Sequence, residues 1–157
     1  MEVKIDYIIK ANCVPIWFFI LSALVVIVLA VLTKKITIGL LVGYVLVILG
    51  ETVLFRTPVD YIRYKLQLFW SYEIWEYAKA EILANIFVYI PVGVFAGRLW
   101  KWKGILFGIG LSVLTEVLQL VTHRGWFELA DLFHNSFGTL IGVAIYIVGM
   151  KYLIKRL

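Results

Sequence analysis

The sequence predicts an all-α integral membrane protein, a bundle of about five transmembrane helices. Three observations carry that reading. Hydrophobic residues make up 63% of the 157 and the mean hydropathy is +0.97, against roughly 45–50% apolar content in soluble domains. Five apolar stretches, Val14–Thr33, Ile36–Phe55, Ile82–Leu99, Gly104–Thr122 and Asn135–Ile154, each approach the ~20 residues a helix needs to cross the hydrocarbon. The charges are also sorted by side, as the order of the spans makes plain.

The first stretch is long for a signal peptide, lacks a small-residue cleavage pattern and runs directly into Lys34-Lys35, so it reads as a permanent helix. Cys13, the single cysteine, excludes an intrachain disulfide and a cysteine metal cluster, and reads as a small apolar residue near a helix start. Lys34-Lys35 is nearly the whole connection to the second stretch, which predicts an antiparallel hairpin. Trp100–Lys103 predicts another between the third and fourth stretches. Gly39, Gly43 and Gly50 share a face of the second span, and Gly138, Gly142 and Gly149 repeat that spacing in the fifth. Such faces let helix backbones approach closely in lipid, and they leave a homo-oligomer open.

Five spans put Lys34-Lys35, the Arg98/Lys101/Lys103 turn and the Lys151/Lys155/Arg156 tail on one side, with no acidic residue among them. Short basic segments mark the cytoplasmic face, so the amino terminus is expected outside and the carboxy terminus in the cytoplasm. The pI near 9.3 then reflects this bias and contact with membrane lipid; it gives no reason to expect nucleic-acid binding. The expected organisation is a single membrane domain with an N-terminal hairpin over 1–55, an outer interfacial connection over 56–81 and a three-helix core over 82–157. In the connection, Ile62 to Ile74 are apolar at every even position, which is strand periodicity. An open strand edge has no place in hydrocarbon, so an extended course at headgroup level is expected. It serves either as an aromatic belt anchoring the bundle or as a lid over a site.

Polar residues interrupt the apolar pattern in two places. Ser112, Glu116 and Gln119 fall at i, i+4 and i+7 on one helix face, and Glu116 lies about 9 Å inside the outer boundary at 1.5 Å per residue. A carboxylate deep in a bilayer costs roughly 2.5–3.5 kcal/mol on insertion scales, so it faces a cavity or a partner. The second knot holds Arg124, Glu128, Asp131, His134 and Asn135. Glu51 and Arg56 stand at the outer end of the second span, and Glu81, Asn85 and Tyr89 form one face of the third. Bundled helices would let these faces meet in an outward-opening pocket. Three chemistries suit it. Glu116 and Asp131 are the candidate catalytic pair, acting as acid and base. Carboxylates with His134 are a possible metal set, although no metal-ligand signature is present and none is assigned. Finally, Arg124 or Arg56 neutralises Glu116 or Asp131 in a structural ion pair.

Three segments, ANIFVYIPVGVFAG (84–97), LSVLTEVLQL (111–120) and RGWFELADLFHNSFGTLIG (124–142), together resemble the VanZ-like family. The family's motif letters fall on Asn85, Pro91, Gly93, Ser112, Glu116, Gln119, Arg124, Asp131, Asn135 and Gly138, over about residues 56 to 142. Two departures stand out. Glu128 occupies a place where the family more often has Asp, and LQLFWSY (66–72) lacks the Asn and Pro of the corresponding family turn.

The resemblance implies a multi-pass protein of the bacterial cell membrane that lowers susceptibility to teicoplanin, a lipid-bearing glycopeptide. It names no cofactor and no reaction. Asn85, Ser112, Glu116, Gln119, Arg124, Glu128, Asp131 and Asn135 become the expected ligand-binding set. The ligand is an amphiphile, either the antibiotic or a lipid-linked cell-wall precursor. The alternative is an integral membrane enzyme that modifies an envelope lipid or glycan with Glu116 and Asp131.

Overall fold

The computed structural model describes residues 14–58, 64–73 and 75–154. Cys13, the Ile62, Arg63 and Ile74 positions of the alternating segment, and the Lys155/Arg156 tail fall outside them. The chain runs α1 (Ile16–Thr33), α2 (Ile36–Leu49), a π-helical turn (Gly50–Leu54), β1 (Tyr64–Lys65), α3 (Trp70–Glu73) and α4 (Trp75–Trp100). A 3₁₀ turn (Lys101–Lys103), α5 (Gly104–Val121), β2 (Phe127–Glu128) and α6 (Leu129–Ile154) complete it.

Four continuous helical stretches of the described residues are long and apolar enough to cross a membrane: Ile16–Thr33, Ile36–Leu54, Ala78–Val121 and Leu129–Tyr152. The five spans drawn from hydropathy thus correspond to four stretches, because the third and fourth join through the 3₁₀ turn into one run of 44 residues. That run folds back on itself. Lys101 takes a left-handed φ of 54°, a Cβ on Gly104 would stand 2.7 Å from the Ala96 carbonyl carbon, and Tyr89 meets Thr115.

The distribution of side chains is that of a protein in lipid. Ile20, Leu24, Ile27 and Val31 of α1 point outwards, while Ser112 and Thr139 are 0% exposed and Glu116 is 2% exposed. Apolar surface meets hydrocarbon and polar groups find one another inside, since lipid cannot satisfy them.

Glycine sets the helix contacts. Gly39 and Gly43 of α2 and Gly50 of the π-turn abut Val26, Ser22 and Phe18 of α1, which fixes the predicted antiparallel hairpin. Gly138 and Gly142 of α6 lie against the Ile86 and Ile90 carbonyls of α4, and Gly93 of α4 faces Thr139 and Gly142 in return. The rising pairs 86/138 and 90/142 show that α4 and α6 run parallel. Both stripes are therefore used within one chain, except Gly149, around which there is open space. Leu41, Ile48, Tyr89, Val92 and Leu111 form the apolar core between α2, α4 and α5.

Two expectations need correction. Helices α4 and α6 begin at Trp75 and Leu129, ahead of the Ile82 and Asn135 starts drawn from apolarity. A helix needs only its own backbone bonds and continues through polar residues that have partners, so hydropathy underestimates it. The extended course expected up to Ile74 is limited, among the described residues, to Tyr64–Lys65. These pair in parallel with Phe127–Glu128, so the strand lasts as long as its partner. The chain then turns and is helical from Trp70, with Tyr72 N–H donating to the Phe69 carbonyl at 3.1 Å.

Candidate functional site

The polar face of α5 is the spine of the site. Ser112, Thr115, Glu116 and Gln119 are all buried, and each turn of the helix meets a different element. Ser112 Oγ accepts from Asn135 Nδ2 of α6 at 3.0 Å. Thr115 Oγ1 lies 3.4 Å from the Tyr89 hydroxyl of α4. Glu116 Oε2 accepts the backbone N–H of Glu128 at 2.8 Å. Gln119 Nε2 donates to the Thr52 carbonyl in the π-turn at 3.1 Å. One helix face thus ties the π-turn, α4, β2 and α6 together.

The π-turn closes through Phe55 N–H on the Gly50 carbonyl, and helix ends leave carbonyls without intrahelical donors. Arg124 supplies donors. Its Nη1 reaches the Leu54 carbonyl at 2.6 Å and the Arg56 carbonyl at 2.7 Å. The ion pair considered for Arg124 with Glu116 or Asp131 is therefore not what this residue makes. Both bonds come from one nitrogen, and both acceptors are backbone carbonyls. Arg56 is the cation whose charge acts on Glu116, Glu128 and Asp131.

The segment before α4 forms a strap across these residues. Lys65 sits over the Trp70 ring with Nζ 3.0 Å from its centroid. Trp70 Nε1 donates to Glu128 Oε2 at 3.0 Å, and the Tyr72 hydroxyl lies 3.1 Å from His134 Nε2. Trp70 and Tyr72 belong to the even-numbered aromatic positions, and the alternation alone did not mark them as partners of Glu128 and His134. His134, 1% exposed, is a hydrogen-bonded residue. His123 is exposed at a φ of 57° in the turn after α5. Among the described residues no three His, Cys, Asp or Glu side chains are grouped so as to hold a metal ion.

Of the eight expected site residues, the structure joins Ser112 to Asn135 and Glu116 to the Glu128 backbone. Gln119 and Arg124 hold the π-turn instead. Asp131 takes no hydrogen bond from a described residue, but the charges of Glu116, Glu128 and Glu81 act on it. Asn85 is placed at this level by the α4–α6 register, and its buried Nδ2 has no partner. Ser71 Oγ, His134 Nδ1 and Asn135 Oδ1 are also buried without one. Natural structures leave few such atoms, and two of the four, His134 Nδ1 and Asn135 Oδ1, belong to adjacent residues of α6.

Glu128, ahead of the last membrane stretch, is raised from 4.5 to about 6, by burial first and by the Glu81 charge next. The Trp70 hydrogen bond and the charges of Lys65 and Arg56 oppose the rise. A carboxyl raised on folding binds its proton more readily in the folded state, so its contribution is most favourable below pH 4.5 and is lost as pH rises through about 6. The shift is about 2 kcal/mol before solvent screening and about 1 kcal/mol once partial exposure is allowed for. Thermal unfolding of purified protein should show this loss between those pH values, and Glu128→Gln should make the slope shallower. An unchanged slope would remove Glu128 from the titration.

Comparison with known proteins bears on the same residues. The sequence model of the family described as VanZ/LLP1 matches residues 17–152, a span that contains α2, the strap and α5, with α1 and α6 except for their outermost residues. No curated protein and no solved structure matches the chain.

Proposed function

The chain belongs to the VanZ/LLP1 family, and from that premise we propose that it is a bacterial cell-envelope membrane protein that lowers susceptibility to teicoplanin-type lipoglycopeptides. Its form is a five-pass bundle with α4 and α5 crossing separately, the amino terminus outside and the basic turns in the cytoplasm. On this reading 1–55 is a supporting hairpin, 56–81 covers the outer face and 82–157 carries the site. The pocket between α5, α6 and the strap opens to the outer half of the bilayer and binds an amphiphile, either the antibiotic or a lipid-linked wall precursor.

One observation supports the reading: Glu116 is buried and Asp131 half-buried, the latter on the helix that also carries the unpartnered Asn135 Oδ1 and His134 Nδ1, with an aromatic strap bonded to Glu128 and His134. A purely structural polar core would pair its groups, since a buried orphan costs about 1–3 kcal/mol. The test is teicoplanin susceptibility of a Gram-positive host expressing wild type, Glu116→Gln or Asp131→Asn at matched membrane levels. Wild type is expected to raise the inhibitory concentration several-fold and both variants to return it to the vector control. Equal susceptibility in all strains would reject the envelope role.

The enzymatic reading has its own support. Asp131 has no hydrogen bond from a described residue and lies within the field of Glu116, as one member of an acid–base pair would. Turnover of an envelope lipid by purified protein, abolished in Glu116→Gln, would favour it over binding alone.

A further inference from the structure

The seam between α5 and α6 holds more hydrogen-bond acceptors than the chain fills. Asn135 is 4% exposed; its Nδ2 donates to Ser112 Oγ, and its Oδ1 has no partner. That bond holds the amide against the face of α5 on which Glu116 stands one turn beyond Ser112. On α6, Asp131 stands one turn before Asn135, so each carboxylate lies one helical turn from the Ser112–Asn135 bond. Glu116 takes one hydrogen bond, from the Glu128 N–H, and Asp131 takes none from the described residues. A carboxylate offers about four acceptor sites, so most of this capacity is unused.

Positive charge is short as well. Arg124 is held by two backbone carbonyls and Lys65 by the Trp70 ring. Arg56 acts on the acids through its charge, with no hydrogen bond to them from among the described contacts. Four acids, Glu81, Glu116, Glu128 and Asp131, lie within one another's field. None of these three described cations donates a hydrogen bond to the acids of the seam.

We infer that the seam between α5 and α6 binds a primary ammonium group, the head of an aminolipid or of another amine-bearing amphiphile, through Asp131, Glu116 and the amide oxygen of Asn135. This rests on the reading that an amphiphile enters the site. The match is one of number as well as sign. A primary ammonium has three donors and no acceptor, one for each of the three groups. A hydroxyl brings one donor and no charge. A quaternary ammonium brings charge and no N–H. The strap offers apolar surface for the other half of an amphiphile, since Phe69 and Tyr72 are exposed aromatics and Tyr72 meets His134 of α6.

The experiment uses the full chain in phosphatidylcholine nanodiscs and follows tryptophan fluorescence, with Trp70 reporting from the strap. Dodecylamine, dodecyltrimethylammonium and dodecanol are titrated in turn. Saturable binding of dodecylamine is expected, at least tenfold tighter than of the other two, and weakened at least tenfold in Asp131→Asn. Glu116→Gln serves as the second isosteric variant if Asp131→Asn fails to unfold at the wild-type temperature. Replacing part of the lipid with phosphatidylethanolamine separates the sources: competition assigns the site to an aminolipid head, and its absence assigns it to a non-lipid amine. Equal binding of dodecylamine and dodecyltrimethylammonium, or unchanged binding in both variants, would overturn the inference. If dodecanol binds as tightly as the amine, the amphiphile pocket stands and the ammonium reading falls. If none of the three binds, both fall.

Discussion

Gly142→Val is expected to abolish the folded bundle, the largest stability effect at any single position. A Cβ at Gly142 would run into the Ile90 carbonyl oxygen and stand 2.8 Å from the Val94 nitrogen and 2.9 Å from the Gly93 Cα. All three are backbone, so no rotamer change relieves the clash. Overpacking where side chains can adjust costs about 1–3 kcal/mol, and a rigid seam allows less adjustment, so even Gly142→Ala should cost at least that. The internal control is Gly149, on the same helix and with open space around it. Gly149→Ala should be neutral or stabilising by up to about 1 kcal/mol, the helix propensity difference. Retention of monodisperse protein in size-exclusion chromatography after heating reads all three variants. Wild-type behaviour of Gly142→Val would mean that α4 and α6 do not pack through this glycine.

The second large effect is expected at Arg124. Arg124→Ala removes both donors from the Leu54 and Arg56 carbonyls. Hydrogen bonds from charged groups contribute about 1.5–3 kcal/mol each, and these lie near the membrane boundary where water can replace part of the loss, so about 3 kcal/mol is expected for the pair. Because the π-turn also holds the Gln119 contact and leads into Arg56, the site loosens together with the fold. Arg124→Lys keeps the charge but not the planar fork, and should recover only part of the stability. The melting temperature of the three proteins should therefore rank wild type, lysine, alanine. If lysine equals wild type, charge alone suffices and the carbonyl geometry is incidental.

Arg124 also shows where local reading stops. Its charge suggested an ion pair with Glu116 or Asp131, whereas its partners are the Leu54 and Arg56 carbonyls, 70 and 68 residues away in and just after the π-turn. Trp70 and Tyr72 teach the same lesson, since they bond to residues 58 and 62 positions further on. By contrast, Ser112, Glu116 and Gln119 were legible as one face because helical spacing is a local rule, and the structure buries that face. The glycine spacing was legible for the same reason. Its use between α4 and α6, leaving Gly149 outside, was not.

The sequence by itself determined the membrane character, the approximate helices, the polar face of α5 and the polar start of α6. Those follow from composition and from periods of a few residues. The tertiary structure alone decided which carbonyls hold Arg124, that the strap lies on Glu128 and His134, and which acceptors around Glu116 and Asp131 remain unfilled. Hydrogen-bond partners are set by which helices cross and at what register, and no period along the chain encodes a register between helices so far apart in sequence.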